Sequence, residues 1–172
     1  MRELFVLDKK NYNPNGSIGR RPSVRGIIIR DGKIAMMHSL RYNYYKLPGG
    51  GIEGKETLLE TLIREVREES GLVVIPDSVK EFGYVRRIEK GRIEDIFIQE
   101  NFYFLCEAEE DIVAQELDDY EADEKFTLEF VLIDDAIKVN ETADHFEKEE
   151  VSTFRGMLDR ENKVLLLLKE EI

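Results

Sequence analysis

Residues 50–72 read GGIEGKETLLETLIREVREESGL. Between Thr57 and Ser70 the apolar residues Leu58, Leu59, Leu62, Ile63 and Val66 recur at helical spacing, and Gly71 supplies a stop. On that helix Glu65, Glu68 and Glu69 fall within an arc of about 100°, with Glu65 and Glu69 at one edge of the apolar stripe. Like charges three and four residues apart cost on the order of a few tenths of a kcal/mol per pair, and more once desolvated. A bound divalent cation removes that conflict, and hard oxygen ligands select Mg²⁺ or Mn²⁺. The arc alone defines no site, because Glu-rich chains also place such pairs on solvated helix faces. Glu53 and Glu56 lie near the helix N-terminus, where negative charge is favoured by the dipole and a capping role suffices.

Working outward, Gly49, Gly50 and Gly51 follow Pro48 and let backbone approach a ligand closely. Upstream, the run Val24 to Ile29, the Asp31-Gly32 turn and Lys33 to Met37 predict a hairpin, with Tyr44 to Leu47 as a third short strand. Asn11 to Pro22, rich in Asn, Gly and Pro, reads as a loop. Downstream, Glu81 to Glu89 and Ile96 to Cys106 predict strands joined through charged Lys90 to Asp95. Acidic Glu107 to Glu124 reads as a long exposed loop. Phe126 to Leu132 predicts a strand leading into a short helix from Asp134 or Asp135, and a terminal helix spans about Asp159 to Glu170. Strands mixed with a few helices imply α/β or α+β layers, in one domain over residues 1–172.

Composition narrows the function. Of 172 residues 37 are acidic and 25 basic, and the net charge of −12 opposes attraction to nucleic-acid backbone or anionic lipid. Val164 to Leu168 is far shorter than the ~20 apolar residues of a membrane helix, and Leu4 to Leu7 is too short for a signal-peptide core. No nucleic-acid or membrane partner is therefore expected. The single cysteine, Cys106, forms no intrachain disulfide, and a reducing cytoplasm fits. His38 and His145 are too isolated to suggest a zinc site.

From Gly50 the spacing runs five residues to Glu56, then seven to Arg64-Glu65-Val66-Arg67-Glu68-Glu69-Ser70-Gly71-Leu72. This resembles a complete Nudix box, G-x5-E-x7-R-E-U-x-E-E-x-G-U, where U is a bulky aliphatic residue. Tyr45-Lys46-Leu47-Pro48-Gly49-Gly50 resembles the family's entry strand, and Phe130 to Ala136 its late strand-to-helix segment, so most of residues 23 to 140 is covered. Two departures stand out: Tyr45 replaces a common tryptophan, and Gly54-Lys55 precedes Glu56 where the family usually has glycine immediately before that Glu.

The resemblance implies an α/β/α sandwich around a mixed sheet, with the box binding Mg²⁺, for which Mn²⁺ can substitute. It also implies hydrolysis of the diphosphate linkage of a nucleoside diphosphate joined to another group, such as a nucleoside triphosphate or nucleotide sugar. Glu69 and Glu65 are the expected principal metal ligands, Glu68 a ligand or neighbour of one, and the carbonyl of Gly49 or Gly50 a contributor. Arg64 would orient the acidic cluster by ion pairing, for instance with Glu56. The general base is Glu65 or a residue of the acidic segment, where Glu124 and Glu121 come before Glu116. Arg25, Arg41, Lys46, Arg86 and Arg87 are the candidate phosphate-binding cations, and Tyr42, Tyr44, Tyr45 and Tyr84 the candidate base-stacking rings. A homodimer is common among relatives and stays open here.

Two other readings compete with this one. Gly49 to Lys55 also fits G-x4-G-K, but Glu56 occupies the Ser/Thr position that holds Mg²⁺ in P-loop nucleotidases, where its charge would repel phosphate. A catalytically silent Nudix-like scaffold serving as a nucleotide sensor is the other. Its expected output element, a DNA-binding helix pair with a basic face, is not evident.

Overall fold

The computed structural model describes residues 1–142 and 151–172, with side chains described for 1–142 and 154–172. The chain opens with β1 (Glu3–Asp8), β2 (Ile18–Arg20) and β3 (Ser23–Ile27). β4 (Ile29–Arg30), β5 (Lys33–Ser39) and β6 (Tyr44–Lys46) follow, and the glycine loop leads into α1 (Leu58–Ser70). Next come β7 (Leu72–Val74), a 3₁₀ turn (Pro76–Ser78), β8 (Lys80–Glu89), β9 (Ile96–Leu105) and β10 (Ala108–Ile112). α2 (Asp119–Asp123), β11 (Phe126–Val131), α3 (Ile133–Thr142) and α4 (Val151–Glu171) complete the order.

β8 and β9 form the long antiparallel ladder of a mixed sheet, with β1 parallel to β8 and both β2 and β3 parallel to β9. A second, antiparallel sheet runs β11-β5-β4, with β6 also on β5. Asp31 at φ 49° and Gly32 at φ 72° make the tight turn between β4 and β5 that the Asp-Gly pair predicts. The first arm of that hairpin divides, however. Only Ile29 and Arg30 pair with β5 through the strand ladder, while Ser23–Ile27 runs along β9 and ties the two sheets together.

Alternation along the strands sends side chains into two layers. Ile34 and Met36 of β5 and Tyr103 of β9 meet Ala136 and Ile137 of α3 and Val164, Leu165 and Leu168 of α4. Ala35 and Phe104, the adjacent residues, face the other way and meet Leu62 and Val66 of α1. The result is the α/β/α arrangement expected. Cys106 belongs to the α1 layer, 7% exposed, and burial pushes its thiol up to about 12.

Several segments differ from their sequence reading. The Asn11 to Pro22 stretch is not all loop, since Ile18–Arg20 pairs with β9. The Leu4 to Leu7 run lies in β1 alongside β8. The acidic stretch Glu107 to Glu124 holds β10 and α2 and ends on a residue only 5% exposed. β10 carries no apolar alternation because four of its five residues are exposed, so hydrophobic periodicity had nothing to report there. α4 begins at Val151, ahead of the expected Asp159.

Candidate active site

Local sequence sets the helix that carries the acidic arc. Thr57 caps α1: its side chain accepts from Glu60 N, the Glu60 carboxylate accepts from Thr57 N at 2.8 Å, and Gly71 closes the other end by donating to Arg67 O. Leu62 and Val66 bury the apolar stripe, which draws its edge residues toward the glycine loop. That loop is fastened to β3 by Val24 N donating to Gly50 O and Gly26 N to Pro48 O, each at 2.9 Å.

The three carboxylates of the arc separate into different environments. Glu69 is 1% exposed; its Oε2 accepts from Gly49 N at 2.7 Å, and Lys46 Nζ lies 2.5 Å from Oε1. That buried ion pair leaves Oε1 with Lys46 as its one close partner among the described residues. Glu65 lies against Gly50, where an added Cβ would come within 2.3 Å of Glu65 Oε2. Burial, followed by the charge of Glu69, raises the Glu65 pKa, although Arg64 opposes both. Glu68 is more exposed and accepts from Arg64 Nη1 at 3.1 Å.

Arg64 gathers this group. Its Nε and Nη2 grip Glu56 at 2.7 and 2.8 Å, Nη1 reaches Glu65 at 2.8 Å, and Nη2 donates to Gly51 O at 3.2 Å. The guanidinium bond holds the Glu56 carboxyl down at about 2.

These elements border a cleft of about 330 Å³. Glu65, Gly50, Arg25, Lys46 and Glu121 all line it. Arg25 donates to Gly49 O, and its Nε is buried without a partner. Burial disfavours the Lys46 ammonium, but Glu69 more than reverses this and its pKa ends raised. Glu121 faces Lys46 at 3.7 Å, and burial together with Glu69 pushes its carboxyl up to about 7.

Other residues singled out by sequence lie elsewhere. Glu124 is buried under Ser39 and Tyr44, whose hydroxyls donate to Glu124 Oε2 at 3.1 and 2.6 Å. Glu116 is exposed beside Arg67 at 3.4 Å. Arg41 pairs with Asp123, and Arg86 with Glu3 at 3.2 Å, both outside the cleft. Tyr45 stacks on His38 at 4.3 Å and donates to Glu129, and none of Tyr42, Tyr44, Tyr45 and Tyr84 lines the cleft.

Sequence reasoning passed over Arg21, Ser23, Gln99, Asp118 and Tyr120, which do line it. A signal existed for two of these. Asp118-x-x-Glu121 is a capping box, with Asp118 Oδ1 accepting from Glu121 N at 2.9 Å, and it turns α2 so that Tyr120 and Glu121 face Lys46.

A strand-wrapped helix with a gathered acidic edge, set against a glycine loop, defines a Nudix-type site. The chain belongs to the Nudix family: the family model described as "NUDIX domain" matches residues 19–154. An RNA pyrophosphohydrolase of Halorhodospira halophila is 42% identical over 73 residues, covering 41% of this chain and 39% of the relative. One from Xylella fastidiosa is 37% identical over 78 residues, covering 45% and 36%. The matches thus span less than two fifths of these relatives' length.

Among solved structures, a Nudix hydrolase from Nitrosomonas europaea aligns with a TM-score of 0.56 at 15% identity, covering 83% of this chain and 90% of that one. The MutT protein of Bacillus halodurans aligns with a TM-score of 0.55 at 20% identity, covering 69% and 72%. Both show the shared fold.

Proposed function

We propose that this chain is a divalent-metal-dependent pyrophosphohydrolase that cleaves the diphosphate linkage of a nucleotide substrate. The observation that carries the reading is the convergence of Glu65 and Glu121 with Arg25 and Lys46 on one glycine-walled cleft, Lys46 being paired there with the buried Glu69. Two carboxylates on one helix edge, Glu65 with its pKa raised by burial and by the charge of Glu69, fit a hard cation. Glu69 and Glu65 would hold it, with Glu68 and the Gly50 carbonyl as further oxygen donors. Mg²⁺ is the proposed ion and Mn²⁺ its substitute. When bound, such an ion offsets charge on the phosphate oxygens and makes water a better nucleophile.

The chain's own groups do the rest. Arg25 and Lys46, which line the cleft, bind phosphate oxygens, and Arg64 holds Glu65 and Glu68 in place. Glu121, beside Lys46 in the cleft, accepts the proton of the attacking water in this reading, because Glu124 is enclosed by Ser39 and Tyr44. Nucleoside triphosphates and nucleotide sugars are the proposed substrates. The names of the matched relatives favour a second reading, RNA bearing a 5′ polyphosphate, against which the net charge of −12 works.

The test is incubation with Mg²⁺ and a panel of these compounds, with products identified by mass, beside Glu69→Gln. Scission within the diphosphate, lost by at least about a hundredfold in the folded variant, is the expected result. A folded protein that binds nucleotide yet turns over no member would instead be a silent sensor.

A further inference from the structure

The cleft does not end at Arg21, whose guanidinium also borders a second groove of about 630 Å³. Gln99 lines the cleft and Phe97 the groove; two residues apart on β9, they project from the same sheet face. Arg87 lies opposite Gln99 and Glu89 opposite Phe97 in the β8–β9 register, so paired side chains continue that face from one space into the other.

The charge of the groove runs against that of the molecule. Among the described residues Lys9, Arg21, Arg87 and Lys90 border it beside Glu89 and Glu94, in a chain of net charge −12. Glu89 is divided between two cations, 2.5 Å from Lys9 Nζ and 3.3 Å from Arg87. Burial lowers the Arg87 pKa, with Glu89 opposing, and its Nε is buried without a partner. Arg21 and Lys90 have no carboxylate partner among the described residues. Arg87 sits 5.8 Å from the Phe97 ring centroid, which adds an aromatic wall beside the cations.

We propose that this groove holds a second phosphate group of the substrate, separated by a nucleoside from the diphosphate in the cleft. The proposal rests on the hydrolase reading above and specifies its substrate class. Two sources share this chemistry: a 3′-phosphate on a mononucleotide, or the first phosphodiester of an oligonucleotide.

The experiment compares kcat/KM for a nucleoside 5′-triphosphate, its 3′-phosphorylated form and a 5′-triphosphorylated dinucleotide, in the wild type and in Lys90→Glu, an exposed substitution. In parallel, equilibrium binding of a nucleoside 3′,5′-bisphosphate and a 5′-monophosphate is measured without turnover. The expected result is an advantage of about fivefold or more for the phosphate-extended substrate that falls toward unity in Lys90→Glu, with the plain triphosphate unchanged. The salt dependence of that advantage falls with it. Which extended substrate gains identifies the source. If nothing is hydrolysed but the bisphosphate still binds more tightly in a Lys90-dependent way, the groove stands and the hydrolase reading falls. Equal binding and equal kcat/KM, or an advantage that survives Lys90→Glu, overturns the proposal.

Discussion

Arg64 depends on its shape as much as on its charge. Its planar fork reaches Glu56 with two nitrogens while the third is left for Glu65 and Glu68, a division a single ammonium cannot reproduce. Arg64→Lys is therefore expected to lower turnover by about 10- to 100-fold with only a small change in Tm, read by kinetics and thermal unfolding together. Glu56 offers a test by pH. Its folded pKa, about 2, lies below the ordinary 4.5, so the unfolded chain takes up its proton first as pH falls. The stabilisation is complete above about pH 4.5 and is lost on approach to pH 2. Urea midpoints of Glu56→Gln should accordingly fall less steeply than wild type across that window, and parallel slopes would refute the assignment. The Arg64–Glu56 pair was legible because both residues lie in one loop and helix. Glu124 was not: its enclosure depends on Ser39 and Tyr44, 85 and 80 residues away in sequence.

Elements announce themselves when their own ends and faces carry the signal. α1 did so through Thr57, a wide apolar stripe and Gly71, and Thr57→Ala should cost about 1 kcal/mol, or roughly 2–4 °C in Tm by calorimetry. The acidic stretch after β9 was opaque for the opposite reason. Mostly exposed, β10 is specified by backbone pairing with β7, while α2 is a five-residue helix held by its capping box. The β3–β4 arm shows a third case, in which the turn was readable from Asp31-Gly32 but the partner of Ser23–Ile27 was chosen by β9, distant in sequence. Sequence period identifies which face is buried; it is silent on the strand that covers it.

Across the whole molecule, α4 connects to the glycine loop through buried polar groups. Glu161, fully buried, accepts from Leu47 N at 3.0 Å and from its neighbour Arg160 at 2.8 Å. Arg160 continues to Asn101 at 3.0 Å, and Asn101 accepts from Ser23 at 2.7 Å at the wall of the cleft. Removing one member leaves a buried partner uncompensated, so Glu161→Ala should destabilise by about 3 kcal/mol or more, measured by urea unfolding. The terminal helix was legible in the sequence, yet the partners of its buried Arg160 and Glu161, Asn101 on β9 and Leu47 just after β6, lie far away along the chain.

The single thiol of Cys106, sealed behind α1, also makes the protein its own stopwatch. A thiol reagent can mark it only in molecules that have opened, so the rate of labelling reads how often the α1 layer parts from the sheet. Mg²⁺ with a nucleotide should lengthen that interval, because a ligand bound only by the closed form draws the population toward it. A labelling rate indifferent to both would mean that opening at Cys106 leaves the occupied cleft untouched.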